Sequence, residues 1–458
     1  MRMTLALLAA SSLAIAAASA QAPPQTPPQA APPVRQARSL AEALQIAGSS
    51  SVHILYIHGI GATGSGDSLE LQHSICRYAK KFMGQECDGG ANQNPVRLGR
   101  EYAQDGIFAR DNASGSNGLN PRVAGERYMG HPIWASWDEW HASAPFVDHY
   151  EIRLRDGQNI LVDELNWWPL VLAVKCKFMM PDETQLAGRL TGKADDYLDI
   201  CSRQESGTSG VEVRSVDWIK AGGYTLAELD ARPNRAVVLN RAGKVGLMDW
   251  RFSDAVLGVG PLADRYIIPG IQQLLVKCVP LLESHSTQFI TVTHSLGSYL
   301  LFASLALEKR DPTMSADEAA AFKDHFRELL EHLDSAYLIA NQIPLLEMSW
   351  LGNANTRFFA FDQWSDARRA FLNLGDGPIT QPVGTVVAWS DPNDLLTWHL
   401  GADFQQWQTP PGSGIKVVNH RVKNATHWFW LFENPDAAHA NYARNPEVVR
   451  ALLKGDQP

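Results

Sequence analysis

The sequence predicts an α/β protein whose central sheet is mainly parallel and flanked by helices. Val52 to Ile57 is a continuously apolar run, the pattern of a strand buried on both faces, and S-T-Q-F-I-T-V-T, Ser286 to Thr293, reads as a second buried strand. Each runs into a turn and then into a helical pattern. Further strands are expected at Ala336–Ala340, Thr385–Trp389 and Ile415–Val418, with helical stretches between them. Strands that alternate with helices imply parallel pairing.

In chain order, residues 1–20 carry one Arg, an apolar core and the small-residue ending Ala18-Ser19-Ala20. That pattern predicts a secretory signal peptide cleaved after Ala20, and so an exported protein, periplasmic or secreted. The apolar core is too short for the roughly 20 residues a membrane span needs. Residues 21–37 open with Q-A-P-P-Q-T-P-P-Q-A-A-P-P and predict an extended, solvated tether. The folded domain is expected over 38–458. Ser39 and Glu42 form a capping box for its first helix, and Gly48 suits the position just past the end. Leu69 to Met83 reads as the next helix.

Residues 88–246 match no recognisable pattern as a whole and are expected to contain an insertion or cap. Within them, H-Y-E-I-R-L and N-I-L-V-D-E-L flank Asp156-Gly157, a hairpin signal. Trp168 to Met180 and Pro261 to Ser284 read as helices. The last helix has Asn445 as N-cap, Pro446 in its first turn and Gly455 after its end.

Composition removes several function classes. A net charge of −9 argues against nucleic acid, whose binding needs basic patches that release counterions. No second apolar run is fit to span a membrane, because Phe289 to Leu307 is broken by Thr-His-Ser. The 14 histidines form no H-E-x-x-H, and no Cys/His spacing of a zinc site occurs, so no metal is expected. Five cysteines in an exported chain suggest two disulfides and one free thiol. Cys76 with Cys87 and Cys176 with Cys201 is the pairing suggested by position, with Cys278 buried and free; other pairings stay open. Tryptophans at 134–140, 167–168 and 428–430 suit either a substrate groove or the core.

Two glycine-bearing windows carry the chemistry. T-H-S-L-G, Thr293 to Gly297, places Ser295 between an apolar strand and an apolar helix. H-G-I-G-A-T-G, His58 to Gly64, follows the first strand. Its Gly59, Gly61 and Gly64 also spell G-x-G-x-x-G, a dinucleotide-binding turn. Here, though, Gly64 does not open a helix directly, and no acidic residue ends a second strand about 20 positions on.

The first window resembles the G-x-S-x-G nucleophile elbow of the α/β-hydrolase superfamily, with Thr293 in place of the first glycine. The second resembles that superfamily's His-Gly oxyanion loop. The resemblance implies an exported lipase- or esterase-like serine hydrolase, with a small-molecule or lipid ester as substrate and no cofactor. It implies Ser295 as nucleophile, with the amides of Leu296 and of Ile60 or Gly61 as oxyanion donors. The superfamily's order of serine, acid, histidine directs the acid to the turn after V-V-A-W-S, where Asp394 leads and Asp391 is its rival. It directs the base to His439, ahead of His427, with His420 read as structural. Two other classes stay open: a catalytically silent hydrolase fold used for binding, and a dinucleotide-dependent oxidoreductase.

Overall fold

In a computed structural model of the chain, the residues described are 37–48, 51–60, 66–89, 95–98, 106–111, 118–128, 131–178, 252–278, 288–306, 316–347, 361–375, 381–400, 414–425, 427–428, 432–433 and 435–455. The expected signal peptide and residues 21–36 of the tether lie outside these residues, as do Gly61, Gly64 and the side chains of Cys176, Cys201 and Cys278. Ala37, expected to end the tether, is instead buried in the core.

The strands of the main sheet are β1 (Val52–Ile57), β2 (Val96–Leu98), β3 (Phe146–Arg153), β4 (Asn159–Asn166), β5 (Gln288–His294), β6 (Leu333–Ile339), β7 (Gly384–Ser390) and β8 (Ile415–Arg421). They form one eight-stranded sheet in the order β8-β7-β6-β5-β1-β4-β3-β2. Pairing is parallel from β8 through β4. β3 and β2 close the edge antiparallel. The expected hairpin is β3–β4, turning at Asp156 and Gly157, where Gly157 takes φ 90. Part of the span expected to hold a cap therefore belongs to the sheet, because β2, β3 and β4 all fall within it.

Alternate side chains explain why the strands read as continuously apolar. Leu55 and Ile57 of β1 enter one core with Phe289, Ala336 and Leu338. Val52, Ile54 and Tyr56 enter the other with Ile290, Val292 and Tyr337. The second face is covered by α1 (Leu40–Ala47) and α2 (Leu69–Met83). The first is covered by α3 (Trp168–Phe178), α4 (Ser253–Val259), α5 (Ile268–Cys278), α6 (Leu296–Leu305), α7 (Ala316–His332) and α8 (Phe361–Phe371). A single turn of π-helix, Ala263–Ile267, leads into α5. Two further helices, α9 (Pro435–Ala440) and α10 (Pro446–Lys454), end the chain. Trp134, Trp140 and Trp167 are core residues, not a groove lining.

Local chemistry sets the helix ends. Ser39 Oγ accepts from the Glu42 amide at 3.2 Å, while the Glu42 carboxylate reaches back to the amide of Arg38, one residue beyond the usual box. Asn445 accepts from the Glu447 amide at 2.9 Å, and Gly455 ends α10 with φ 84. A disulfide joins Cys76 of α2 to Cys87, a bond characteristic of oxidising compartments. Among the described residues, no helix is long and apolar enough to cross a membrane.

One polar cluster lies in the sheet. Asp163 of β4 is buried and accepts hydrogen bonds from His149 of β3 and, at 3.2 Å, from His53 of β1. Burial alone would raise the Asp163 carboxyl, but these two bonds overrule it and hold its pKa at about 2. Burial also works against charge on His149, and the adjoining carboxylate outweighs it to raise that ring's value. A carboxyl depressed in the folded state contributes stability that is present above its unfolded pKa of about 3.9 and lost as pH falls towards 2. Urea titrations should therefore show the wild-type midpoint falling steeply between pH 5 and pH 2. Asp163→Asn should be less stable at pH 7 and flatter across that window; parallel curves for the two proteins would disprove the assignment.

Candidate active site

The sheet reverses its direction of growth at β1. The chain places β4, β3 and β2 on one side of that strand and β5 to β8 on the other. Crevices at the carboxyl ends of strands next to such a switch point are where open α/β sheets hold their ligands. The two windows singled out by sequence meet there, Ser295 following β5 and His58-Gly59 following β1.

Ser295 occupies the turn between β5 and α6 with φ 55 and ψ −124. A residue with a β-carbon rarely adopts positive φ, and the conformation persists only where its surroundings impose it. Its amide donates to Ile339 O of β6 at 2.9 Å, and its carbonyl accepts from Ser298 N at 3.1 Å. Glycine supplies the remaining room. A β-carbon on Gly297 would sit 2.3 Å from the Ile57 carbonyl oxygen, and one on Gly59 would sit 2.5 Å from Ser295 Cβ. Thr293 fits in place of the more usual small residue because its hydroxyl shares a 2.8 Å hydrogen bond with Ser298 Oγ.

His439 lies near the end of α9, a short helix. Its Nε2 accepts from Ser295 Oγ at 3.0 Å. Its Nδ1–H donates to Asp394, 2.9 Å from Oδ2 and 3.0 Å from Oδ1. All three residues are buried, and Ser295 has no exposed surface. Burial pushes the Asp394 carboxyl up. Hydrogen bonds from His439, Thr397 and the Leu396 amide more than offset this and keep it below the usual carboxylate range. Tyr442 Oη donates to Asp394 at 3.2 Å and accepts from the Asp391 amide at 2.6 Å. Thr397 and Tyr442 are site residues that sequence reasoning missed; T-W-H and A-N-Y carry no spacing signal that would have singled them out.

The rivals are placed elsewhere. Asp391 accepts from the amides of Asn393 at 2.9 Å and Asn424 at 2.6 Å, so it ties the acid turn to the segment after β8. His427 pairs with Glu433 in a two-stranded ribbon, and His420 stacks on Trp389. Leu296 is the first residue of α6, where an amide has no partner within the helix, and Ile60 follows Gly59 directly. Gly61, the other expected donor, is outside the described residues.

Two more imidazoles border the serine. Burial lowers His58 to about 4 despite the hydrogen bond it donates to Gly59 O at 2.9 Å. Burial first, and then the neighbouring His439, lower His294 to about 4 as well. Both rings are uncharged at neutral pH.

Beside this cluster lies an apolar cleft of about 160 Å³. Ile60, Leu346 and Leu396 line it together with Val256 and Val259 of α4, and Gln342 is its polar member. α4 is anchored in two ways. Asp254 pairs with buried Lys175 of α3 at 2.6 Å, and Gly258 lies so close that a β-carbon there would come within 2.7 Å of the Leu296 side chain. Phe252 and Val256, which line the cleft, are exposed.

Among the described residues, no group of three or more His, Cys, Asp or Glu is disposed to hold a metal ion. No protein-family model, curated protein or solved structure matches the chain.

Proposed function

We propose that the protein is a serine hydrolase of the α/β-hydrolase type that cleaves carboxylic esters of apolar acids through an acyl-enzyme. The observation that carries this reading is the unbroken hydrogen-bond relay from Ser295 Oγ through His439 to Asp394. A serine hydroxyl is a weak nucleophile until a base takes its proton, and that base needs a carboxylate to hold its tautomer. Ser295 Oγ attacks the ester carbonyl while His439 Nε2 takes its proton. The tetrahedral oxyanion is held by the amides of Leu296 and of Ile60 or Gly61. Collapse expels the alcohol, which receives the proton from His439. Water, activated by the same imidazole, then releases the acid and restores Ser295.

The strained backbone at Ser295 supports catalysis over a silent binding role, since binding alone needs no hydroxyl forced to positive φ beside a base. The dinucleotide reading loses support at α2. Glu164 already accepts from the amides of Gly66 at 2.8 Å and Ser68 at 2.9 Å, so a carboxylate occupies the helix N-terminus where a pyrophosphate would sit.

The cleft supports an apolar acyl group. Burying one methylene contributes about 0.8 kcal/mol, or about fourfold in kcat/KM. A panel of p-nitrophenyl esters should therefore show kcat/KM rising by about fourfold per added methylene from acetate until the chain outgrows the cleft. A fluorophosphonate probe should label Ser295. A profile that falls from acetate onward would refute the acyl assignment, and absent labelling of folded protein would refute the hydrolase reading.

A further inference from the structure

His294 comes directly before the nucleophile, and the relay above does not use it. Its Nε2 lies 3.0 Å from the main-chain oxygen of His439. A carbonyl only accepts, so the ring carries its proton on Nε2 and donates it. The ring meets that of His439 edge-on, with centroids 5.1 Å apart and planes at 61°. Its other nitrogen faces Gly59, where a β-carbon would come within 2.8 Å of Nδ1. One side chain thus touches the nucleophile turn, the base helix and the oxyanion loop.

We propose that His294 is a positioning residue, which holds the main chain of His439 so that the catalytic imidazole stays over Ser295 Oγ. The inference rests on the serine-hydrolase reading. Its physical basis is the end of α9. Carbonyls in a helix's last turn have no partner within the helix, and a buried carbonyl left unpaired is costly. α9 spans only Pro435–Ala440, so its own hydrogen bonds do little to fix the position of His439. The His294 donor supplies the missing partner from the strand that carries the nucleophile.

Charge favours the same role. The titratable groups facing the ring are His439, Asp394 and His58, and the burial described above keeps His294 neutral. The imidazolium that forms on His439 during attack therefore meets no second cation. A neutral ring also has a single proton, already committed to the His439 carbonyl.

The test compares His294→Phe, which keeps a ring without the donor, with His294→Gln, whose amide N–H can replace Nε2–H. One hydrogen bond of this kind corresponds to about a tenfold change in rate. His294→Phe should lower kcat for a p-nitrophenyl ester by about tenfold with KM within about twofold, and His294→Gln should recover kcat to within about threefold of wild type. Wild-type kcat in the Phe variant, or equal losses in both variants, would overturn the proposal. A Ser295→Ala control in the same assay separates this from failure of the hydrolase reading, because only that failure leaves the control active. Nitrogen-15 spectra of the wild-type histidines give a readout that needs no variant. His294 should stay a neutral Nε2–H tautomer from pH 5 to 8. A ring that titrates within that range, or carries its proton on Nδ1, would also overturn the proposal.

Discussion

Ser295→Ala should lower kcat for ester hydrolysis by about 10⁶-fold, the loss expected when three residues act as one unit. The relay explains the size. Without Oγ, His439 has no proton to take, and Asp394 orients a base with nothing to activate. Residual turnover of about 10³–10⁴ over water should persist, because Leu296 and the Ile60 loop still offer amides to an oxyanion. Stability should change little. Alanine also carries a β-carbon, so position 295 keeps its φ of 55 and its amide bond to Ile339 O. Steady-state kinetics of the purified variant, with its melting temperature measured alongside, check both parts. Turnover within about tenfold of wild type in a folded protein would remove Ser295 from the mechanism.

What could be read from the sequence follows the range of the interactions involved. Ser39, Glu42, Asn445 and Gly455 marked their helix ends because capping joins residues two to four apart. β1 and β5 were legible from composition, since a strand buried on both faces tolerates few polar residues. The turn at Asp156-Gly157 marked β3–β4 as a hairpin, yet nothing local showed that the hairpin extends the main sheet. That placement depends on β4 pairing with β1, more than a hundred positions earlier.

The candidate site divides in the same way. Ser295 was legible because its strained turn demands glycine at 297 and a strand–helix junction around it. Sequence put Asp394 ahead of Asp391 but left both open, since both stand in one turn. They are distinguished by long-range partners: His439 and Tyr442 converge on Asp394, which Thr397 also bonds from within the turn, whereas Asn424 takes Asp391. The wall that α4 adds to the cleft likewise comes from a distant buried ion pair, Lys175 with Asp254.

That separation yields the second large effect. Asp394→Asn should lower kcat by about 10⁴-fold, because an amide in that position turns the imidazole to the wrong tautomer while leaving the fold in place. The depressed pKa of Asp394 means that the wild-type carboxylate is ionised near neutral pH. Protonating it therefore does not account for any loss of rate near neutral pH. Asp391→Asn should behave differently. Its oxygens only accept, from the Asn393 and Asn424 amides, and asparagine keeps one accepting oxygen. Its kcat should stay within about threefold of wild type, while Asp391→Ala should lose about 1–3 kcal/mol of stability by leaving those amides unpaired. Parallel kinetics and urea denaturation of the three variants decide the matter. If Asp391→Asn loses four orders of magnitude and Asp394→Asn does not, the acid is Asp391, and the contacts of Thr397 and Tyr442 with Asp394 serve only to shape the turn.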